Sequence, residues 1–354
     1  MHIGIDISVL SDKQTGIGRF ISGTVNALQQ IDKENTYFLF EKNPTDFKIF
    51  NGKWRKVCIP SKLPGSFWLQ LKVPKYCRKF GIDVFWSPRQ ICPIFGMDKI
   101  KIINTIYDLT FIHYPETLFL PNLVILKILI PASLKKVKRV TTISNFIKKD
   151  IQTQFPDLKK DIDTIYCGRP QWKTSNQKSI KRGEHLFFVG NLEPRKNLKN
   201  LIRAMEIVAL KNKEVRLHIG GPAGWKNREI FKYLENCSVK NNVKILGYLT
   251  EQQLKNEYLS CKAFVYPSLY EGFGLPVLEA LMMDCPVITS KYTVMEEIAG
   301  GSVLYCDPRN PEDIADKILK LQTYKFDCQI SQKILSKFSW PKTARLLLKS
   351  INCI

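Results

Sequence analysis

The chain's 354 residues suit two α/β domains of ordinary size. Apolar residues at 44% can fill two cores, and aromatics at 11% argue against intrinsic disorder. The net charge of +22, from 54 basic and 32 acidic residues, points to anionic partners such as nucleic acid, an acidic membrane surface or phosphorylated substrates, and says little about fold.

In chain order, residues 3–7 read as a first strand and 18–30 as the helix after it. A short strand at 37–40 follows, then apolar, β-branched strands at 84–86 and 100–105. Residues 140–143 form another strand, with Ser144 as the N-cap of the next helix. Around 166–181 the pattern gives way to Gly, Pro, Ser, Asn, Gln and Lys, which marks an interdomain linker. A second series then begins. Strands are predicted at 185–189, 215–220, 243–246, 263–267 and 286–289. A helix over 197–211 carries Leu198, Leu201, Ile202, Met205 and Val208 on one stripe, and further helices fall near 251–260, 275–284, 294–299 and 311–322. Residues 340–351 close the chain as an amphipathic helix. Strands alternating with helices imply parallel sheets, hence two Rossmann-like halves that place ligands at the carboxyl ends of their strands. The expected division is 1–168, a linker at 169–182, 183–337, and a closing helix at 338–354.

The strongest chemical signal is the run from Tyr266 to Ala280, in which a strand ends at Pro267 and a loop holds Glu271, Gly272, Phe273 and Gly274. A helix then starts near Leu275, with Pro276 pre-set for its first turn. The two glycines permit positive φ and close backbone approach, and the free amides at the helix start form an anion site. Glu279, read as lying in the first turn, would compete with phosphate there unless it reached sideways to neutral hydroxyls such as those of a ribose. Glu271 could reach sugar hydroxyls or the reacting carbon.

A second signal runs from Phe188 to Asn197, where Gly190 sits in the loop and Arg195-Lys196 stand at the start of the next helix. Cations at a helix N-terminus oppose its dipole, and an anionic ligand between them would offset that cost. The plainer alternative is a solvated basic turn. The third signal, Thr15-Gly16-Ile17-Gly18-Arg19, is a Gly-rich turn into a helix, but its third glycine would fall on Ile21, so it is no dinucleotide fingerprint.

The ten cysteines are scattered without a C-x2-C pair, which argues against a structural zinc site and suits reduced thiols. The first residues open on a strand-like run without a signal-peptide pattern, so the cytoplasm is the expected compartment. The apolar stretch 118–134 is interrupted by Pro121, Asn122, Lys127 and Pro131 and falls short of a membrane span.

Together these residues resemble family 4 of the glycosyltransferases, retaining enzymes with the two-domain GT-B fold in which the domains face each other across a cleft. The resemblance covers nearly the whole chain and is most specific from Phe187 to Pro308. It implies that Glu271 and Glu279 are the glutamates of an E-x7-E motif, contacting donor sugar and nucleotide ribose in turn. It implies that Arg195 and Lys196 hold the donor diphosphate and that Gly274 and Leu275 offer amides to the phosphates. Gly16 and Gly18 would belong to the N-terminal loop that closes over the site. The closing helix would cross back onto the N-terminal domain. No cofactor is implied: the nucleotide sugar is a co-substrate and a metal ion is generally not required, in keeping with the absence of an Asp-x-Asp motif or His/Asp cluster in the sequence. One departure is Tyr107, which stands before Asp108 where many relatives carry histidine. Asp108 and Tyr107 are candidates to line the cleft, while His113, His2, His185 and His218 read as structural.

From Thr117 to Lys149 there are seven basic residues and no acidic one, beside the apolar 118–134 stretch. Lys53-Trp54-Arg55-Lys56 and residues 67–79 add aromatic and basic character. That combination suits the cytoplasmic face of an anionic membrane. The resemblance implies that the N-terminal domain binds the acceptor, so a glycan or polyprenyl-linked acceptor is expected. The plainer alternative is a buried helix with a solvated basic face. A nucleotide-sugar epimerase and a basic nucleic-acid-binding protein are the rival readings. The second lacks any recognised binding motif and so no nucleic-acid partner is expected.

Overall fold

The computed structural model describes residues 1–10, 15–172, 182–222, 224 and 227–354. These form two units, each built on its own sheet. Unit 1 comprises Met1–His113, Phe119–Gly168 and Phe338–Ile354, and unit 2 comprises Tyr114–Leu118 and Arg169–Lys337. The linker expected at 169–182 lies largely outside the described residues, since 173–181 are among those not described.

The sheet of unit 1 contains β1 (His2–Asp6), β2 (Thr36–Glu41), β3 (Trp54–Cys58), β4 (Val84–Ser87), β5 (Lys101–Ile106), β6 (Arg139–Thr142) and β7 (Ile162–Thr164), in the order β3-β2-β1-β4-β5-β6-β7. Every pairing is parallel. The inner strands are buried along nearly their whole length, as runs such as Ile3-Gly4-Ile5 and Val84-Phe85-Trp86 require of a sheet covered on both faces. The edge strand β3 corrects the reading of Lys53-Trp54-Arg55-Lys56 as surface character. Trp54 is buried and stacks on Tyr37 with ring centroids 3.8 Å apart, leaving Lys53, Arg55 and Lys56 outside.

The helix Gly16–Ile31 begins two residues earlier than expected, because the Thr15 hydroxyl caps it by accepting from Gly18 N at 3.0 Å. Ser144 caps its own helix, Asn145–Gln154, in the same way, accepting from Ile147 N at 3.2 Å. The apolar stretch forms the helix Leu120–Lys136, with Pro121 in its first turn and Pro131 inside it. It is no buried helix: Leu120, Val124 and Ile128 are exposed at four-residue spacing, while Ile130, Ser133 and Leu134 face inward. Among the described residues no helix is long and apolar enough to cross a membrane. The helix Trp340–Asn352 belongs to unit 1 and packs on Gly16–Ile31. The contact depends on Gly23, where a Cβ would lie 2.5 Å from the Trp340 ring.

Unit 2 contains β8 (His185–Val189), β9 (Arg216–Gly220), β10 (Val243–Gly247), β11 (Ala263–Tyr266), β12 (Val287–Ser290) and β13 (Leu304–Cys306). They pair in parallel in the order β10-β9-β8-β11-β12-β13, the doubly wound pattern in which the first and fourth strands lie side by side. The predicted stripe of Leu198, Leu201, Ile202, Met205 and Val208 is buried on the helix Leu198–Ala209. All ten cysteines are free thiols, and Cys77, Cys92, Cys167, Cys261, Cys285 and Cys306 are core residues.

Candidate active site

In a doubly wound sheet the crevice lies beyond the carboxyl ends of the two strands where the order reverses. In unit 2 these are β8 and β11, and the two strongest sequence signals are the segments that leave them. The segments are tied together. Leu269 N donates to Arg195 O at 2.9 Å, and Ser268 Oγ to the same carbonyl at 3.2 Å. Asn197, held at a φ of +64°, donates its side-chain amide to Pro267 O at 2.9 Å and to Pro308 O at 2.5 Å.

Arg195 and Lys196 occupy a 3-10 turn, Pro194–Lys196, ahead of the helix Leu198–Ala209. This corrects the expectation that they stand on the helix start and oppose its dipole. Their charges are met by carboxylates instead. Lys196 Nζ donates to Glu271 Oε1 at 2.6 Å and to the Tyr266 hydroxyl at 2.7 Å. Arg195 Nη1 lies 3.1 Å from Glu271 Oε2, and its Nη2 donates to Glu193 Oε1 at 2.7 Å. Glu271 Oε1 also accepts from Ser268 Oγ at 2.6 Å and from the Tyr266 hydroxyl at 3.0 Å. Lys196 and Glu271 are both buried, which excludes a solvated basic turn.

Burial alone would raise the Glu271 pKa, but Lys196 and then Arg195 outweigh it and hold the carboxyl down at about 2. Burial pushes the Lys196 ammonium downward despite the pull of Glu271, and the adjacent Arg195 adds to that push. Glu271 is therefore ionised near neutral pH, and its charge is set among poorly solvated surroundings, where electrostatic forces act strongly.

The segment after β11 continues through buried Gly272 and Phe273 to Gly274, whose φ of +107° is open to glycine and turns the chain into the helix Leu275–Met282. Gly272 does not adopt positive φ, so the turn rests on Gly274 alone. Leu275 is the first helical residue, as expected, but Glu279 is the fifth and not part of the first turn. It therefore does not compete for the anion-binding amides, whose field fades within one turn. Glu279 is buried, and its Oε2 accepts from the Tyr258 hydroxyl at 3.0 Å. Gly190 follows β8, and a Cβ there would meet the Lys196 side chain at 3.7 Å.

The remaining candidates belong to unit 1. Gly16 and Gly18 are in the first turn of their helix, and the Gly18 amide is engaged by Thr15. Residues 11–14 just before them lie outside the described residues. Tyr107 is buried, edge-on to Phe20 with ring centroids 5.6 Å apart, and its hydroxyl donates to Pro88 O at 3.1 Å. Its ring fills the interior of unit 1. Asp108 Oδ1 accepts from Thr110 N at 3.0 Å, at the start of the short helix Thr110–His113.

Several participants were not picked out from the sequence. Tyr266, Ser268 and Glu193 lie inside the two quoted runs, but nothing in their spacing marks them as partners of Glu271 and Arg195. Tyr258 comes from a different helix, Glu251–Ser260, and carried no signal. In unit 1, Arg89 Nη1 lies 3.7 Å from the fully buried Asp6 and donates to Ser8 Oγ at 3.1 Å, at the β1–β4 reversal of that sheet.

Comparison with known proteins agrees with this architecture. Residues 170–332 match the family model for glycosyl transferases group 1. The chain is 26% identical over 231 residues to an O-antigen chain mannosyltransferase B of Escherichia coli, a match spanning 62% of this chain and 61% of that protein, less than two thirds of its length. It is 26% identical over 276 residues to the O-antigen chain mannosyltransferase RfbU of Salmonella typhimurium, covering 73% of this chain and 72% of that one. Among solved structures, Anabaena Alr3699/HepE in complex with UDP-glucose superimposes with a TM-score of 0.76 over the full length of both chains at 16% identity. That likeness is one of fold, the GT-B class with two Rossmann-like parallel sheets. The sequence likeness to glycosyl transferases group 1 thus lies in the second unit, over residues 170–332, a little under half of the chain.

Proposed function

We propose that this protein transfers a hexose-type sugar from a nucleotide-sugar donor to a glycan or polyprenyl-linked acceptor, with retention of anomeric configuration, in the assembly of a bacterial surface polysaccharide of the O-antigen or capsule kind. The observation that carries the reading is the convergence of Arg195, Lys196 and Glu271 at the β8–β11 reversal, where a doubly wound sheet takes its ligand. Its likeness to O-antigen mannosyltransferases supports the polysaccharide role, and the UDP-glucose held by a structural neighbour supports the donor class.

The chemistry follows from charge. Cleaving a sugar–phosphate bond leaves negative charge on the diphosphate and positive charge on the ring. An ammonium has three N–H donors, and Lys196 spends two of them on Glu271 and Tyr266, so the third is available to a phosphate oxygen. With Arg195 and the amides from Gly274 and Leu275, it would stabilise the leaving group without reorganisation. Glu271, kept ionised, would bind the sugar hydroxyls or offset charge on the ring, and Glu279 would bind the ribose. No covalent nucleophile is needed, and no metal enters the scheme.

The exposed Leu120, Val124 and Ile128, flanked by Phe119 and Lys127, support a peripheral seat on the cytoplasmic face of an anionic membrane, where a lipid-linked acceptor would be met. The function is tested by incubating the full chain with labelled UDP- and GDP-sugars and candidate lipid-linked acceptors, and following product by NMR. Transfer with a retained anomeric centre is expected. An inverted product overturns retention, and interconversion of donor sugars without transfer overturns the glycosyltransferase reading in favour of an epimerase.

A further inference from the structure

The chain has four histidines, and two of them lie against each other in unit 2. His185 is the first residue of β8, and His218 stands on the neighbouring strand β9, in register with Phe187. Their rings stack with centroids 4.0 Å apart and planes 26° from parallel. His185 Nε2 lies 3.2 Å from Glu257 Oε2, and His218 Nδ1 lies 3.0 Å from the same oxygen. The three candidate ligand atoms all fall within 4.8 Å of one another.

We propose that His185, His218 and Glu257 form a binding site for a zinc-class divalent cation, completed by water. Two imidazoles and one carboxylate are ligands that such an ion accepts, with a fourth position left open. Bonds of about 2.0–2.1 Å in a tetrahedron set ligand-to-ligand edges of roughly 3.3–3.4 Å, so the two nitrogen–oxygen separations need widen by only a few tenths of an ångström. The side chains are 15%, 21% and 19% exposed, which fixes their rotamers yet leaves an approach for the ion. Lys244, the register neighbour of His218, is exposed and can extend into solvent.

The site lies at the amino end of β8, whereas Arg195, Lys196 and Glu271 lie beyond the carboxyl ends. At about 3.3 Å per residue the five-residue strand sets the two roughly 13 Å apart, so the cation is no part of the transfer chemistry. Its place is structural. It would clamp the helix Glu251–Ser260 to the sheet, one residue from Tyr258, which bonds Glu279.

The test uses tag-free, chelator-stripped full chain titrated with zinc, and separately with cobalt(II). One zinc per chain is expected, with a rise in melting temperature. His185→Gln, His218→Gln and Glu257→Gln should each weaken binding at least about tenfold, since even outer-sphere changes cost that much at metal sites. The cobalt complex should show tetrahedral d–d bands without a thiolate charge-transfer band. Zinc uptake unchanged in His218→Gln, a thiolate band from the cysteines, or no uptake at all would each overturn the site and leave a hydrogen-bonded His–Glu–His group. If a variant fails to fold, the cobalt spectrum of the unaltered chain decides. None of these readouts depends on sugar transfer.

Discussion

Lys196 Nζ lies 2.6 Å from Glu271 Oε1, so the cation proposed for the diphosphate and the carboxylate proposed for the sugar are paired directly with each other. Removing Glu271 strands the buried Lys196 charge, at a cost of about 3–5 kcal/mol, whereas removing Lys196 leaves Glu271 with Arg195 and should cost less. Lys196→Met and Glu271→Gln should each lose turnover by at least about a hundredfold and lower stability in urea. The double variant should be less destabilised than the two single losses added together, because the Lys196 charge that Glu271→Gln strands is then absent. Additive losses would show that the two side chains do not support each other.

Acid should weaken the protein through the same carboxyl. Its folded pKa of about 2 lies below the ordinary 4.5, so its contribution is fully present above pH 4.5 and is lost as pH falls through 2. That shift corresponds to an upper bound of roughly 3 kcal/mol, part of which is offset by the cost of keeping Lys196 charged while buried. The stability gap between the unaltered chain and Glu271→Gln should therefore narrow between pH 4.5 and 2, when unfolding is measured in urea at several pH values. A constant gap across that window would place the Glu271 charge outside the folding equilibrium.

Glu279 is the residue proposed for the ribose, and Tyr258 donates a hydrogen bond to it. A hydrogen bond to a charged group contributes about 1.5–3 kcal/mol, or roughly ten- to a hundredfold in affinity. Glu279→Gln should raise the donor KM by at least about tenfold with little change in kcat, and Tyr258→Phe should move KM in the same direction by less. A loss confined to kcat would shift Glu279 from the ribose to the reacting sugar.

The proposed membrane seat rests on three apolar side chains. Serine at Leu120, Val124 and Ile128 together should weaken flotation with anionic vesicles by at least about tenfold, since each large aliphatic side chain contributes about 1.5–3 kcal/mol when buried. Binding by the unaltered chain should fall as salt is raised, because its cationic flank is screened. Equal flotation of both proteins would remove the stripe from the interface.

The sequence shows its buried strands plainly because a central parallel strand is apolar on both faces, as at Leu186-Phe187-Phe188. It hides the edges. β7 and β13 have three residues each, and residues such as Arg55 and Lys56 in β3 and Asp163 in β7 break the apolar run, so these strands read as surface. The site was legible where its chemistry is local: Arg195 and Lys196 are adjacent, and Glu271 sits beside the glycines that shape its loop. What pairs them is tertiary. Nothing in the spacing of His185, His218 and Glu257, or of Tyr258 and Glu279, predicts their meeting, because each comes from a separate element brought together by the sheet.

The return of residues 338–354 to unit 1 sets an order on the chain's maturation. On a ribosome adding about 5–20 residues per second, unit 1 waits roughly 10–30 s after its seventh strand emerges before Trp340 can settle at Gly23. Throughout that interval the flank of its first helix is bare and open to chaperones or to wrong partners. Unit 2, drawn from one continuous stretch apart from Tyr114–Leu118, can close first. A stop codon shortly before Phe338 should therefore injure the half translated earliest.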